Sequence, residues 1–149
     1  MLHVLFFCLG FCVAVLYLDL VFDVSAVPYR NTNTALPANI LTPITTYYRY
    51  VTRNPWLLIF VMSVAITCIV AELLFGQAPR WVGYSSLAVF GLIALLAVAR
   101  VIPWAQRLAS GEESVEGQTR LAHGLFPFHM LFLILILSLV LLQSSTAGP

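Results

Sequence analysis

The chain has 149 residues, of which 61% are hydrophobic and only 9% charged, with a mean hydropathy of +0.97. Soluble domains carry roughly a quarter charged residues, so a water-facing coat is missing, and the same numbers exclude a disordered chain. A formal net charge of +1, with arginine as the only basic side chain besides histidine, supplies no basic field for nucleic acid. The expectation is one membrane domain covering residues 1–149.

Four apolar runs follow one another at residues 2–22, 56–75, 82–102 and 125–142. A helix of about 20 residues crosses a hydrocarbon core of about 30 Å. Hydrocarbon offers no partner to a backbone N–H or C=O, and the runs lack the alternation of a membrane strand, so helices are required. The predicted architecture is an all-α, integral membrane, four-helix up-down bundle.

The first run is followed by Val24-Ser25-Ala26, which has the shape of a signal-peptide cleavage site. The missing basic n-region, the length of the run, and the charges of Asp19 and Asp23 favour a retained span. Intact mass separates the two readings. Loop 23–54 begins with an Asn-, Thr- and Pro-rich stretch, residues 25–37, that reads as irregular chain. Thr42-Pro43 then has the form of a helix start. Ile44, Tyr47, Tyr48 and Val51 follow at i, i+3, i+4, i+7 and share one helix face. This predicts a short amphipathic helix before the second span, read first as an interfacial collar and alternatively as a lid.

Asn54-Pro55 reads as an N-cap and first helical residue for the second span. Gly76-Gln77-Ala78-Pro79 predicts a tight turn into the third, whose Gly83, Leu87 and Gly91 offer a small packing face. Trp56, Trp81 and Trp104 fall at expected span ends, at headgroup depth. In loop 103–124, Ser110 and Glu113 have capping-box spacing, and Glu116 and Arg120 form an i, i+4 pair. The fourth helix is expected to start near Glu112 and to bend at Pro127, close to His129.

Arginine placement gives the orientation. Arg30, Arg49, Arg53, Arg107 and Arg120 lie in the two larger loops, Arg100 lies just inside the third span, and Arg80 stands alone in the short turn. The positive-inside rule then puts both loops in the cytoplasm and both termini outside it, most readily in a bacterial inner membrane.

Ionisable groups inside a bilayer need a partner or a role. Asp19, Asp23, Arg49, Arg100, Arg107 and His129 are expected to gather at the cytoplasmic end of the bundle. Three uses stay open: a structural ion-pair lock, a site for a ligand or proton, and a divalent metal site. The lock is favoured, and no metal is assigned, since a third firm ligand is wanting. At the opposite end Cys8, Cys12, Cys68 and Glu72 fall at comparable depths. No Cys-x-x-Cys occurs, and small-hydrophobe packing accounts for the thiols. Phosphate loops, zinc-protease motifs and nucleophile elbows are absent, and no cofactor is named by the sequence.

The stretch over residues 100–132 resembles the small four-helix membrane proteins related to fungal anthrone oxygenases. The residues that carry the likeness are Val101-Ile102-Pro103, Arg107-Leu108 and His129. Ala105 stands where that pattern has a polar Asn, and Phe132 where it has an arginine. The resemblance therefore implies the architecture, and of its residues carries over Pro103 and His129. Two classes of function follow. One is a non-catalytic accessory or assembly subunit, or a binder of a lipophilic molecule. The other is an enzyme acting on a lipophilic substrate at the cytoplasmic interface, or a small proton-coupled transporter. The expected partners are the lipid bilayer, other membrane-protein subunits or a lipophilic small molecule.

Overall fold

The computed structural model describes residues 2–30, 34–76 and 78–146. Its helices are α1 (Leu2–Asp23), α2 (Ala38–Arg53), α3 (Trp56–Phe75), α4 (Arg80–Leu96), α5 (Ile102–Ser110) and α6 (Val115–Thr146). Among the described residues there is no strand. Four helical rods are long and apolar enough to cross a membrane: Leu2–Tyr29, Trp56–Phe75, Arg80–Ser110 and Val115–Ser145. The chain is a multi-pass membrane protein built as an all-α four-helix bundle.

The rods form a ring in which α1 packs on α3 and α6, and α4 closes the circle between α3 and α6. Successive rods run antiparallel, so each ring neighbour is also antiparallel. The inner seam holds Leu5, Leu9, Ala65, Ile69, Phe90, Leu125, Ile136 and Leu139. Large apolar side chains such as Phe7, Phe60, Phe75, Leu95 and Leu141 point outward, where a bilayer replaces water. Helices α2 and α5 pack on each other at one end, beside the end of α1 and the start of α6.

Several boundaries differ from the sequence expectation, each for a local reason. The stretch Val24–Tyr29 is a 3₁₀ turn continuing α1, where irregular chain was expected. The Ala26 carbonyl contacts His123 Nε2 at 3.1 Å, which ties the turn to α6. Residues 31–33 of that stretch lie outside the described residues. Helix α2 starts at Ala38, four residues before Thr42, because the Pro37 carbonyl accepts from Ile40 and Leu41 N–H. Pro43 lies inside α2. The carbonyl it deprives belongs to exposed Asn39, near the helix start, where the loss is cheap.

Asn54 ends α2 and makes no side-chain cap for α3, which begins at Trp56 after Pro55. The turn between α3 and α4 is in place at Gly76, Ala78 and Pro79, while Gln77 lies outside the described residues. Gly83 packs closely on Leu73 of α3, whereas Gly91 meets no neighbour. The small face is thus half used.

The third rod continues beyond its expected end, through a π-helical turn at Ala97–Val101 into α5. There the Ile102 N–H bonds the Ala97 carbonyl, five residues back. The widened turn falls just before Pro103, whose ring would otherwise press on the carbonyl of Ala99. Trp104 therefore sits within the rod and packs on α6, edge-on to Phe128 at 5.7 Å, with Gly124 leaving room for its ring. Trp56 and Trp81 are exposed at rod ends, as expected.

Most of loop 103–124 is helical, and the connection shrinks to residues 111–114. Gly111, at φ 70°, takes the left-handed conformation that closes α5. The cap of α6 is Ser114, whose Oγ accepts from Gly117 N–H at 3.1 Å, rather than Ser110. Ser110 instead donates to the Arg107 carbonyl. Glu116 and Arg120 form no ion pair among the described residues; Arg107 pairs with Glu113 at 2.6 Å. Helix α6 runs as one element from Val115 through Pro127 to Thr146.

Candidate functional site

Asp19 and Asp23 lie one turn apart on α1, so both point to the same side of the helix. That side faces α2 and α6. Asp19 is 7% exposed, Asp23 1% and His129 3%. Burying such groups is costly unless each is bonded, and here each is.

Helix α2 supplies the bonds through its inner face. Tyr47 donates its hydroxyl to Asp19 Oδ1 at 2.7 Å, and Tyr48 donates to Asp23 Oδ1 at 2.7 Å. Helix α6 supplies the imidazole: His129 Nδ1 lies 2.6 Å from Asp23 Oδ2 and 3.5 Å from the Tyr48 hydroxyl. The other ring nitrogen, Nε2, faces Asp19 Oδ2 at 4.0 Å. That is beyond a hydrogen bond, yet one polar atom could lie within bonding reach of both. Phe22 stacks on Tyr47 at 4.2 Å and Tyr47 meets Tyr48 edge-on at 5.3 Å, which fixes both phenols.

The electrostatics follow from these neighbours. Burial pushes the Tyr47 and Tyr48 phenols above the ordinary tyrosine range, and the facing aspartates push them further. Both therefore remain donors across physiological pH. Two carboxylates stand against one imidazole; with both ionised and His129 protonated, the cluster would carry one negative charge in excess.

The arginines expected here are elsewhere. Arg100 is exposed on the π turn and Arg107 pairs with Glu113 at the surface. Arg49 points away from the carboxylates and donates from Nε to the Ala109 carbonyl at 3.2 Å. It neutralises the C-terminal end of α5 and joins α2 to it. The partners of the carboxylates on α2 are thus tyrosines and not arginines. The sequence reading placed Tyr47 and Tyr48 on one face of an interfacial helix and gave them no partner. The available signal was a pair of phenols on the apolar face of α2 and a pair of i, i+4 carboxylates on α1.

At the other end Cys8, Cys12 and Cys68 are buried with free thiols along the α1–α3 seam. Glu72 is half-buried near the end of α3. Among the described residues, no group of three or more His, Cys, Asp or Glu side chains could hold a metal ion, in this region or at the aspartates. Ser86 and Gln143, joined at 2.9 Å, form a buried polar pair at this end.

No family model, curated protein or solved structure matches the chain. Chemically, the cluster contains an imidazole oriented by a carboxylate on Nδ1, with Nε2 turned to a second carboxylate. Such an arrangement can hold a proton, bind a polar head group, or act as an acid–base pair.

Proposed function

We propose that this membrane protein is a non-catalytic binder of a lipophilic molecule, whose polar head engages Asp19 and His129 Nε2 at the α2 end of the bundle. The observation that carries this reading is the buried carboxylate–imidazole cluster, in which His129 Nε2 faces Asp19 Oδ2 at 4.0 Å. Asp23 and Tyr48 hold the imidazole still, and α2 covers the site from the interface. Arginine placement supports an orientation with this end in the cytoplasm and both termini outside it, in a bacterial inner membrane.

The second reading, an enzyme of the oxygenase-like kind suggested by the resemblance over residues 100–132, is favoured by one feature. Asp23 on Nδ1 would orient His129 as a general base. An accessory-subunit role shares the fold and leaves the cluster as packing.

Extraction into native nanodiscs, followed by mass spectrometry of everything that travels with the chain, tests the proposal. A lone bundle carrying a stoichiometric lipophile, lost in His129→Ala, supports it. A larger complex at fixed stoichiometry, with no small molecule retained, makes the protein a subunit and overturns it.

A further inference from the structure

We infer that the rim of the α2 end binds anionic phospholipid, through Arg53 at the α2–α3 junction and Arg100 on the π turn between α4 and α5. This surface lies outside the Asp19–His129 cluster and does not depend on what that cluster binds.

Charge is segregated along the chain. From Val24 to Gly111 there are six arginines and a single carboxylate, Glu72, which stands at the opposite end of the bundle. Asp19 and Asp23 are buried and bonded to tyrosines and His129. The remaining carboxylates at the α2 end are Glu112, Glu113 and Glu116, gathered where α5 passes to α6, and Arg107 pairs with one of them. Arg49 is held to the Ala109 carbonyl. Arg53 and Arg100 are exposed and make no ion pair among the described residues. Helix α2 and the rod Arg80–Ser110 contain no acid that could balance them.

Packing register sets their depth. Helices α3 and α4 are antiparallel neighbours, and Gly83 of α4 rests on Leu73 of α3. Arg100 comes 17 residues after Gly83, and Trp56 comes 17 residues before Leu73. At about 1.5 Å per residue, both stand about 25 Å from that contact. An exposed tryptophan at a rod end marks the headgroup zone, so Arg100 reaches the same zone. Arg53, the last residue of α2, stands three residues before Trp56, at the outer edge of that zone. Just inside it, Leu57 and Phe60 of α3 and Leu95 and Val98 of α4 are exposed and meet acyl chains. Two arginines on neighbouring rods are thus at the depth of lipid phosphates, above an apolar wall. A guanidinium forks onto phosphate with two charge-assisted bonds. Zwitterionic lipids also carry phosphate, but their own cation cancels the attraction. With no carboxylate beside the arginines, a lipid of net negative charge is favoured.

The test uses the full chain in nanodiscs made of equal parts phosphatidylglycerol and phosphatidylcholine. Native mass spectrometry counts the lipids of each kind that stay with the chain on release. The expected result is retention of phosphatidylglycerol over phosphatidylcholine by on the order of fivefold for each arginine that takes part. Arg53→Gln and Arg100→Gln should each lower the preference, and the double variant should remove most of it. Both side chains are exposed, so the melting temperature should hold; the single variants serve if the double variant does not fold. Arg120→Gln, at the same end beside the glutamates, and Arg80→Gln, at the opposite end, remove the same charge and should leave the preference intact. Equal retention of the two lipids by the wild type overturns the inference. So does an equal loss in Arg120→Gln, which would reduce the rim to a diffuse positive field. Displacement of the retained lipid by millimolar inorganic phosphate would make a soluble anion the occupant and overturn the assignment to lipid.

Discussion

The two ends of the bundle treat polar residues in opposite ways. At the α2 end, Asp19, Asp23, Tyr47, Tyr48 and His129 come from three helices far apart in sequence and share one network. At the other end, Ser86 and Gln143 form a buried pair, and Cys8, Cys12 and Cys68 sit along the α1–α3 seam as small apolar side chains. The first end concentrates ionisable groups in one place at high desolvation cost. The second hides its polarity in neutral groups. A fold that needed only packing could have used the second solution at both ends. On the proposed function, the α2 end has a task beyond holding helices together.

The largest effect expected from breaking this contrast is at Asp23. Asp23→Ala leaves Tyr48 and His129 without their shared acceptor in a buried site. It should destabilise the protein by about 3–5 kcal/mol, visible as a loss of thermal stability in nanodiscs. Asp23→Asn keeps an acceptor and should cost less. A near-neutral Asp23→Ala would reduce the network to decoration.

The tyrosines come next. Tyr48→Phe removes a buried bond to a carboxylate and should cost about 1.5–3 kcal/mol, with Tyr47→Phe costing less because Tyr47 is only half-buried. The pH dependence has a defined sign. The folded-state pKa of each phenol is raised above the unfolded value of about 10. The stability it contributes is therefore present below about pH 10 and lost as pH rises beyond it. Melting curves between about pH 9 and about pH 11 should fall more steeply for wild type than for the Tyr47→Phe, Tyr48→Phe double variant. Parallel curves would contradict the assignment of these phenols to the carboxylates.

The smallest effects should come from the other candidates. Arg100→Leu should change stability by less than about 0.5 kcal/mol, since its side chain is exposed and outside the cluster. Each of Cys8→Ala, Cys12→Ala and Cys68→Ala should cost about 1 kcal/mol, the scale of one small buried apolar group. A large loss from Arg100→Leu would restore the arginine lock. A large loss from a cysteine change would mean that the thiols do more than pack.

Much of this was legible in the residues. The four spans, the all-α class and the amphipathic α2 follow from apolar run length and 3.6-residue spacing, and the second span matches α3 to the residue. The juxtaposition of Asp19, Asp23 and His129 was within reach because topology places those positions at one end. The tyrosine bonds were not. An amphipathic helix at an interface and one folded onto a protein have the same periodicity, and only tertiary packing separates them. The same limit hid the Arg49–Ala109 and Trp104–Gly124 contacts between α2, α5 and α6. The extension of the third rod past Pro103 was missed because a π turn absorbs the proline, and nothing in the local composition announces it.

The proposed function requires that the α2 end exchange with a lipophilic molecule. The most direct measurement is the ¹⁵N-histidine spectrum of the protein in native nanodiscs, compared with the same protein after detergent has stripped its co-purified lipophiles. The account predicts that the Nε2 signal of His129 moves between the two, while its Nδ1, held by Asp23, and the signals of His3 and His123 stay in place. Superimposable spectra for His129 would contradict it and leave the network a structural lock.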